Sequence, residues 1–322
     1  MTNILILGGG GVIGQKLARA LVKRGHLRGR DINSITLADV VSPAGFPEGS
    51  KVQSLTCDMS DPSQVSQLIN PETDVIFLLA AIVSGTAEKD FDLGIQVNLT
   101  GVLNVLAAAR ATERCPVVIY TSSMAVYGGD VPDPITDLTY LNPQTSYGMQ
   151  KAVGELLLTD FSRKGFVDGR GFRLPTISVR PGQPNGAASS FMSSIIREPL
   201  NGQEAICPVG RDFLHYYLSP KRCVENLIRG AELNAAELGL DRTLIMPGRM
   251  WSIGQMIDAM TAVCGPEPAK LIKWESQPDV ERIVKGWRFD LRPDRGLALG
   301  FQPDASFEDN VRYYVSEDLE AS

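Results

Sequence analysis

The feature that most constrains the fold of this chain is a run of glycines near its start. The run lies between a short apolar segment and an amphipathic one and reads Gly8-Gly9-Gly10-Gly11-Val12-Ile13-Gly14. A strand, a glycine turn and a helix N-terminus in this order let bare backbone approach a pyrophosphate, because amide hydrogens and the helix dipole attract the anion. Gly8/Gly11/Gly14 and Gly9/Gly11/Gly14 both fit such a turn, so its register stays open. A turn that only joins strand to helix is the alternative.

The first half of the chain alternates short β-branched apolar runs with longer segments of helical period. This rhythm is typical of βαβ units around a parallel sheet. The predicted strands are Asn3–Leu7, Ile35–Ala38, Val52–Thr56, Val75–Leu79, Val117–Thr121 and Gly171–Leu174. The predicted helices between them are Val12–Arg24, Pro62–Ile69, Phe91–Arg110 and Ser146–Lys164.

The pattern changes after Arg173. Prolines and glycines crowd residues 175–186, which predicts a loop leaving the sheet and no regular element there. A helix from the Ser219-Pro220 cap to about Leu240 is predicted next, followed by helices at Ser252–Val263, Pro293–Leu299 and Ser306–Leu319. We therefore predict an α/β fold, a Rossmann-type doubly wound parallel sheet with a smaller, mostly helical C-terminal lobe. The sheet domain is expected over residues 1–175, rejoined by about 213–247, and the substrate lobe over 176–212 and 248–322.

Composition narrows the class of function. The chain has 322 residues, 43% apolar and 21% charged, which is typical of an ordinary two-lobed enzyme. Its 31 basic and 37 acidic residues give a net charge of −6, so no nucleic-acid partner is expected. The longest apolar run, Val75 to Val83, is too short to span a bilayer, so no membrane partner is expected. Five scattered cysteines and two histidines predict no metal site and a cytoplasmic location.

Two acidic residues follow predicted strands where a dinucleotide would lie. Asp39 ends the second strand, where a carboxylate can accept both hydroxyl hydrogens of the adenosine ribose and would repel a 2′-phosphate. The expected cofactor is therefore NAD. Asp58 follows the third strand and is placed to meet the adenine amino group. Capping of the helix that starts at Pro62 is the alternative role, and it suits Asp61 better than Asp58.

A tyrosine and a lysine four residues apart form the candidate catalytic pair. Tyr147 and Lys151 fall on one face of a predicted helix, about one turn apart. A neighbouring cation stabilises a phenolate and so lowers the pKa of a tyrosine, which allows it to act as a base. A second polar cluster, Thr121-Ser122-Ser123, ends a predicted parallel strand, and ligands bind at such strand ends in open α/β sheets.

Together these motifs resemble the extended short-chain dehydrogenase/reductase family, which includes nucleotide-sugar epimerases and dehydratases. The similarity rests on the glycine turn, Asp39, Asp58, Leu79-Ala80-Ala81, Val97-Asn98-Leu99-Thr100-Gly101, Thr121-Ser122-Ser123 with Val126-Tyr127-Gly128, Tyr147-x-x-x-Lys151 and the ending Leu299-Gly300-Phe301-Gln302-Pro303. The resemblance implies that Tyr147 is the general base, that Lys151 holds the nicotinamide ribose and lowers the pKa of Tyr147, and that Ser123 bonds the reacting oxygen. Ser122 is the alternative if the register is off by one.

The resemblance also implies a cofactor site and an assembly. The residues expected to contact NAD are Gly8, Gly11, Val12, Ile13, Gly14, Asp39, Asp58, Met59, Leu79, Ala80, Ala81, Asn98, Tyr147, Lys151, Pro175, Thr176 and Ile177. Asn98 could instead bridge backbone across a helix break, and we favour that structural role. Family members usually dimerise through a four-helix bundle. The apolar residues that could form it are Leu156, Leu157 and Phe161 beside Leu103, Leu106 and Ala107, although the same residues could face the core.

A narrower resemblance concerns the substrate. Residues 173–204 and the Arg282–Trp287 segment are similar to NAD-dependent dehydrogenases of this family that oxidise the C2 hydroxyl of a small sugar acid such as D-erythronate. Nucleotide-sugar epimerases typically carry an aromatic-Asn pair after the arginine of the sixth strand, whereas this chain has Pro175-Thr176. The resemblance implies that the reaction is oxidation of the C2 hydroxyl to give a 2-oxo acid. A nucleotide-sugar epimerase or dehydratase with the same catalytic residues, and a non-catalytic dinucleotide sensor, are the alternatives.

A small acid substrate needs a cation in its site. Arginine offers a planar fork for a carboxylate, and Arg180 in the Pro/Gly loop is the first candidate. Arg211, His215 and Lys221 are the other candidates for this contact. A structural role for Arg180 is the alternative, and His215 could fill an apolar seam. The further expected substrate contacts are Ser84, Ser123, Asn185 and Ser189.

Overall fold

The apolar runs of the N-terminal half pair into one sheet in the computed structural model, which describes residues 1–43, 45–47, 49–183, 187, 189–287 and 290–319. The strands are β1 (Thr2–Leu7), β2 (His26–Leu27), β3 (Arg30–Asp39), β4 (Val52–Thr56), β5 (Val75–Leu78), β6 (Val117–Ser123), β7 (Ile135–Thr136), β8 (Asp168–Leu174), β9 (Thr176–Ile177), β10 (Ala205–Cys207), β11 (Leu214–Leu218), β12 (Thr243–Ile245), β13 (Arg249–Ser252), β14 (Ile272–Trp274) and β15 (Leu291–Arg292).

The helices are α1 (Val12–Arg24), α2 (Pro62–Leu68), α3 (Ser84–Lys89), α4 (Phe91–Gly94), α5 (Val102–Ala111), α6 (Ser146–Arg163), α7 (Phe191–Leu200), α8 (Pro220–Glu232), α9 (Ala235–Leu238), α10 (Ile253–Cys264), α11 (Pro278–Lys285), α12 (Asp294–Ala298) and α13 (Phe307–Tyr314). A π-helical stretch, Ile95–Gly101, joins α4 to α5, and a second one, Val315–Leu319, continues α13. The N-terminal helices keep the predicted bounds to within a residue or two.

The main sheet is parallel apart from the short β2–β3 pair. Its path runs β12-β8-β6-β5-β1-β3, and β4 pairs with the far edge of β3. Helices cover both faces: Leu17 of α1 packs with Leu227 of α8 on one face, and Leu106 of α5 packs with Leu158 of α6 on the other. This confirms the predicted Rossmann-type, doubly wound α/β fold. The carboxyl ends of the central strands therefore share one edge, where ligands bind in such sheets.

A second core lies in the C-terminal part of the chain. There α7, α10 and α13 bring together the buried side chains of Met192, Ile196, Met256 and Phe307, among others. Small sheets accompany these helices, since β11 pairs with both β9 and β13, and β10 pairs with β14. The lobe is thus helical with short strands at its edges.

Two expectations about this half were wrong. Residues 175–186 do contain a regular element, because β9 pairs with Tyr217 and Leu218 of β11. The helix that begins at Pro220 ends at Glu232 rather than near Leu240. Leu233 is extended there, its carbonyl accepts from Arg170 and Arg28, and Asn234 then caps the separate helix α9.

The stretch Phe91–Ala111 is long and apolar enough to cross a membrane by length and composition. In the structure its second half packs on the sheet. Val105, Leu106 and Ala109 are fully buried in the core beside the strands. These contacts are typical of a core helix in a folded domain, since an apolar stripe of a helix is usually buried against a neighbouring layer.

Candidate active site

The glycine turn between β1 and α1 needs glycine at two positions for different reasons. Gly8 has a φ of +88°, and a Cβ there would lie 2.6 Å from the backbone nitrogen of Ala80. A Cβ on Gly14 would lie 2.3 Å from the carbonyl oxygen of Gly8. Gly11 caps α1, and a Cβ there would lie at an ordinary contact distance of 3.4 Å from the carbonyl oxygen of Gly8. The turn therefore leaves bare backbone at the N-terminus of a thirteen-residue helix, which fits a pyrophosphate.

Asp39 faces this turn from the end of β3. Its two carboxylate oxygens accept hydrogen bonds from the backbone nitrogens of Gly10, at 2.9 Å, and Val40, at 2.8 Å. The carboxylate borders a cavity of about 560 Å³ lined by Gly10, Gln15, Asp39, Val40, Val41, Ser42 and Pro43. A carboxylate held at this position suits a ribose with two free hydroxyls and opposes a 2′-phosphate. The residues present thus fit NAD.

The loops after β4 and β5 carry the other residues expected to contact the cofactor. Asp58 accepts from the backbone nitrogen of Ser60, while Asp61 caps α2, so Asp58 is not the cap. Met59 is buried against Gly101. The backbone nitrogens of Leu79 and Ala80 both donate to Leu7, and this brings the Leu79-Ala80-Ala81 segment beside the glycine turn.

Asn98 hydrogen-bonds the backbone of a neighbouring loop rather than backbone across a helix break. It is 1% exposed in the π-helical stretch. Its side chain accepts from the backbone nitrogen of Ile82 at 2.8 Å and donates to the carbonyl of the same residue at 3.0 Å. It also donates to Gln150, the residue before Lys151. Asn98 therefore ties the loop after β5 to helix α6.

Helix α6 carries Tyr147 and Lys151 and begins close to the end of β6. Thr145 caps the helix by accepting from the backbone nitrogen of Gly148 at 3.1 Å. A Cβ on Gly148 would lie only 2.1 Å from the carbonyl oxygen of Ala125, so glycine allows the helix to approach the turn after Ser123. Ser123, the last residue of β6, lies close enough to the Tyr147 hydroxyl to lower the pKa of this phenol.

Ser122 and Ser123 point to different partners because neighbouring strand residues face opposite sides. Ser122 is 2% exposed and donates to the buried carboxylate of Glu155. Ser123 is half-buried and faces Tyr147. The geometry therefore favours Ser123 over Ser122 as the side chain that can contact a reacting oxygen.

The pKa of Tyr147 responds to opposing effects. Burial raises the pKa of Tyr147 to about 12, while the Ser123 hydroxyl and the positive charge of Arg180 lower it. The Lys151 ammonium lies 5.7 Å from the centre of the Tyr147 ring. The net direction differs from the expected lowering, because desolvation of the phenolate outweighs the nearby positive charge.

Lys151 is deeply buried and 2% exposed. Its ammonium donates to the carbonyl oxygen of Thr121 at 2.8 Å and lies 4.9 Å from the centre of the Tyr120 ring. Burial lowers the pKa of Lys151 to about 7, and the negative charge of Glu155 raises it. Its protonation is thus set by a balance close to neutral pH.

Arg180 is the cation that the structure brings to Tyr147. Each side chain shifts the pKa of the other: the positive charge of Arg180 lowers that of Tyr147, and Tyr147 raises that of Arg180. Arg180 is half-buried, and among the residues that the structure describes none makes a hydrogen bond or ion pair with its guanidinium. Its backbone is held by Ser193 and Arg197. A partly desolvated guanidinium without a protein acceptor is suited to an anionic ligand.

The other candidates for binding the substrate carboxylate either form an ion pair within the protein or carry no charge. Arg211 pairs with Asp258 at 2.7 Å, and Lys221 pairs with Glu317 at 3.2 Å. His215 is 6% exposed and hydrogen-bonds Thr176 at 2.8 Å. Burial lowers the pKa of His215 to about 3, so this ring is neutral at physiological pH. These three side chains are therefore poorly suited to hold a carboxylate.

Two further predicted substrate contacts lie at the starts of helices. Ser84 is the first residue of α3, and the carbonyl of Ser189 accepts from Met192 at the start of α7. Asn185 lies outside the described residues. Pro175 is buried, Thr176 and Ile177 form β9, and Ser123 pairs in register with Leu174 on β8. The segment after β8 thus begins beside Ser123.

Comparison with known proteins identifies the family. The profile of the NAD dependent epimerase/dehydratase family matches residues 4–217. The chain belongs to this family. D-erythronate dehydrogenase of Cupriavidus necator is 49% identical over 319 residues, 98% of each chain. D-erythronate dehydrogenase of Haemophilus influenzae is 40% identical over 317 residues, 98% of this chain and 100% of that protein. The crystal structure of the nucleoside-diphosphate-sugar epimerase from Agrobacterium tumefaciens is 42% identical, with a TM-score of 0.94, and covers 100% of this chain and 95% of that one.

Membership of the NAD dependent epimerase/dehydratase family, together with these relatives, makes the chain an NAD-dependent dehydrogenase. The predicted enzyme class and cofactor are confirmed. The sequence interpretation missed a buried partner of the site, Glu155, which is four residues beyond Lys151 on the same helix face. Its i+4 spacing was the available signal. It also missed the contact between Thr176 and His215, which depends on the pairing of β9 with β11.

Proposed function

We propose that this enzyme oxidises the C2 hydroxyl of a small sugar acid such as D-erythronate to the 2-oxo acid, with NAD as the acceptor. One observation carries the proposal: the guanidinium of Arg180 lies near Tyr147, half-buried and without a protein acceptor in the described part of the chain. A guanidinium can hold a carboxylate through two parallel hydrogen bonds. An acid bound in this way keeps its neighbouring hydroxyl close to the tyrosine. The names of the two dehydrogenase relatives support the same substrate class.

In this proposal three side chains handle the hydroxyl group. Tyr147, as the phenolate, takes the hydroxyl proton, Ser123 donates a hydrogen bond to the reacting oxygen, and Lys151 provides positive charge beside the phenolate. The nicotinamide ring of bound NAD supplies the hydride acceptor. Arg180 fixes the carboxylate so that C2, rather than a more distant carbon, is presented to Tyr147.

The remaining roles concern the cofactor and the two parts of the chain. The glycine turn, from Gly8 through Gly14, would hold the pyrophosphate, Asp39 the adenosine ribose and Asp58 the adenine. Residues 1–175 and about 213–247 would form the NAD-binding domain. Residues 176–212 and 248–322 would form the substrate lobe, whose loop carries Arg180.

The test varies first the substrate and then the residue at position 180. NADH formation is followed with erythronate, threonate, threonine and hexuronates, and we expect the highest kcat/KM with a four-carbon acid. Replacement of Arg180 by Met should raise KM for the acid, because a charge-assisted contact contributes about 1.5–3 kcal/mol, or about 10- to 150-fold in affinity. Arg180→Lys keeps the positive charge but not the planar guanidinium, so its KM for the acid should rise less than that of Arg180→Met.

The control for the Arg180 variants is Arg211→Met, since Arg211 is exposed and paired with Asp258. Its kinetics should match those of the wild type. Unchanged KM for the acid in folded Arg180→Met, or equal losses in both arginine variants, would contradict the proposed carboxylate contact.

A nucleotide-sugar epimerase is the second candidate. The name of the Agrobacterium tumefaciens relative favours it. Against it stands Pro175-Thr176, which replaces the aromatic-Asn pair expected of those enzymes. An epimerase returns the hydride to its substrate, so it would convert UDP-sugars without net NADH and leave sugar acids unchanged.

We propose further that the enzyme is a cytoplasmic homodimer with a four-helix bundle built from α5 and α6 of each subunit. Leu103 on α5 is 43% exposed and Leu156 on α6 is 65% exposed. Both helices cover the same face of the sheet. Apolar side chains at this position on neighbouring helices suit burial against a second copy.

A further inference from the structure

Two buried charged side chains follow Tyr147 along one face of helix α6. Tyr147, Lys151 and Glu155 follow one another at intervals of four residues, which places them on one face of the helix. Lys151 is 2% exposed and Glu155 is 3% exposed. A third charged side chain, Arg173 of β8, is 6% exposed. Charged side chains are rarely buried to this extent unless they have partners.

Glu155 is held in place from two strands. The guanidinium of Arg173 donates through Nε to Oε1 at 3.0 Å and through a terminal nitrogen to Oε2 at 2.7 Å. Ser122 of β6 donates to the same Oε1. Arg173 in turn donates to the Tyr127 hydroxyl. The carboxylate therefore has a fixed position one turn beyond Lys151.

Within the described ranges of the chain, the direct contacts of the Lys151 ammonium include no negatively charged group. The ammonium donates to a neutral carbonyl and faces two aromatic rings, and burial lowers the pKa of Lys151 to about 7. The negative charge of Glu155 acts in the opposite direction. The titratable and charged groups around it are Tyr147 and Glu155 on α6, Tyr120 on β6, Tyr127 after it, Arg173 on β8 and Arg180 beyond β9. Glu155 is the carboxylate among these groups.

We propose that Glu155 is a positioning residue for the reaction: fixed by Arg173 and Ser122, it keeps Lys151 in the ammonium form beside Tyr147. This inference rests on the proposed role of Tyr147 as the base. A neutral Lys151 would not stabilise the phenolate, so loss of the Glu155 charge should move phenolate formation to higher pH. Arg173 contributes to the same arrangement, because it is the buried cation paired with the Glu155 carboxylate.

The test compares two substitutions that separate charge from shape. Glu155→Gln keeps the shape and removes the charge, whereas Glu155→Asp keeps the charge and disturbs the contacts with Arg173. The protonation of Lys151 is titrated by NMR in protein with ¹³C at lysine Cε, and its signal is assigned by its absence from Lys151→Met. In Glu155→Gln we expect the titration midpoint of Lys151 to fall by about 1–3 pH units, and in Glu155→Asp to stay near that of the wild type.

Activity gives the second readout. The acid limb of kcat/KM for sugar-acid oxidation should move to higher pH in Glu155→Gln and return in Glu155→Asp. A merely structural role would instead lower activity in both variants without moving the limb. An unchanged Lys151 midpoint in folded Glu155→Gln, or the same shift in both variants, would overturn the proposal.

The test gives a result even if the substrate proposal is wrong or one variant fails to fold. The NMR titration needs no substrate, so it reads the Glu155 proposal even if the enzyme fails to oxidise any sugar acid. Glu155→Gln leaves Arg173 without its buried anion and could unfold the protein, which thermal denaturation will show. In that case Glu155→Gln combined with Arg173→Met removes the pair together, a change that buried ion pairs often tolerate. The effect of the Glu155 charge is then read by comparison with Arg173→Met alone: the Lys151 midpoint should be lower in the double variant, and equal midpoints in these two variants would overturn the proposal.

Discussion

In the proposed reaction Tyr147 is the base, and its surroundings act on its pKa in opposite directions. Burial raises its pKa to about 12, whereas Ser123 and Arg180 lower it. A base with a raised pKa is active in a smaller fraction of molecules at neutral pH, so the rate of oxidation should increase as pH rises into the alkaline range.

Replacement of Tyr147 by Phe removes only the hydroxyl. We expect turnover to fall by about 10²- to 10⁴-fold, because this is the usual contribution of general acid–base catalysis. NADH binding, followed by fluorescence, should stay at the wild-type level. Tyr140→Phe is the matched control, since Tyr140 is exposed and its hydroxyl donates only to Asp130 among the described residues. An active Tyr147→Phe enzyme, or a wild-type rate that does not change with pH, would contradict the assignment.

The position of a side chain could be predicted from the sequence where it depends only on the spacing of residues along one helix. Tyr147 and Lys151 share a helix face because they are four residues apart. The choice between Ser122 and Ser123 was not accessible, because it depends on which face of β6 meets Glu155 and which meets Tyr147. The charge that acts on Tyr147 was also missed, since Arg180 reaches it only through the fold.

At the scale of elements, helix α6 determines the geometry of the site. Its first turn lies against the segment after β6, and Gly148 leaves only enough room for a hydrogen at that contact. The position of Tyr147 relative to Ser123 therefore depends on a close approach of two elements.

Gly148→Ala should separate these elements. The added methyl would lie 2.1 Å from the carbonyl oxygen of Ala125, so the helix has to shift. We expect a loss of about 1–3 kcal/mol in the free energy of unfolding, as for other overpacked sites, together with reduced kcat. Gly210→Ala is the control, because a Cβ there meets its nearest neighbour at an ordinary 3.6 Å. Wild-type stability and kcat in Gly148→Ala would show that the contact does not position Tyr147.

The bounds of an element could be predicted where its apolar periodicity extends over several turns. They could not be predicted where residues distant in the sequence determine the end of the element. The bounds of α1 are those expected, because its apolar stripe and its flanking glycines are local signals. The end of α8 at Glu232 depends instead on Arg170 and Arg28, which bind the Leu233 carbonyl from 63 and 205 residues away. Two-residue strands such as β9 are too short to show a period.

At the scale of the whole molecule, the exposed apolar residues of α5 and α6 are the basis of the proposed dimer. Leu106 faces the core, whereas Leu103 and Leu156 face outward. Composition alone could not make this distinction, because it depends on which side of each helix meets the sheet.

Leu156→Glu should convert the dimer into a monomer, since it places a charge in the centre of the proposed four-helix interface. The mass in solution, measured by sedimentation equilibrium, should fall by half. Leu138→Glu is the control, because Leu138 is 93% exposed and lies outside α5 and α6. A wild-type protein that is monomeric, or a Leu156→Glu variant that keeps the wild-type mass, would contradict the proposed interface.

The central claim is that hydride leaves C2 of a small sugar acid. The most direct test incubates the enzyme with NAD and D-erythronate that carries deuterium at C2, and then measures the mass of the reduced cofactor. We expect the NADH formed to carry the deuterium, with an equal amount of the 2-oxo acid. Unlabelled NADH would show that another carbon is oxidised, and recovery of the acid and NAD unchanged would show that D-erythronate is not the substrate.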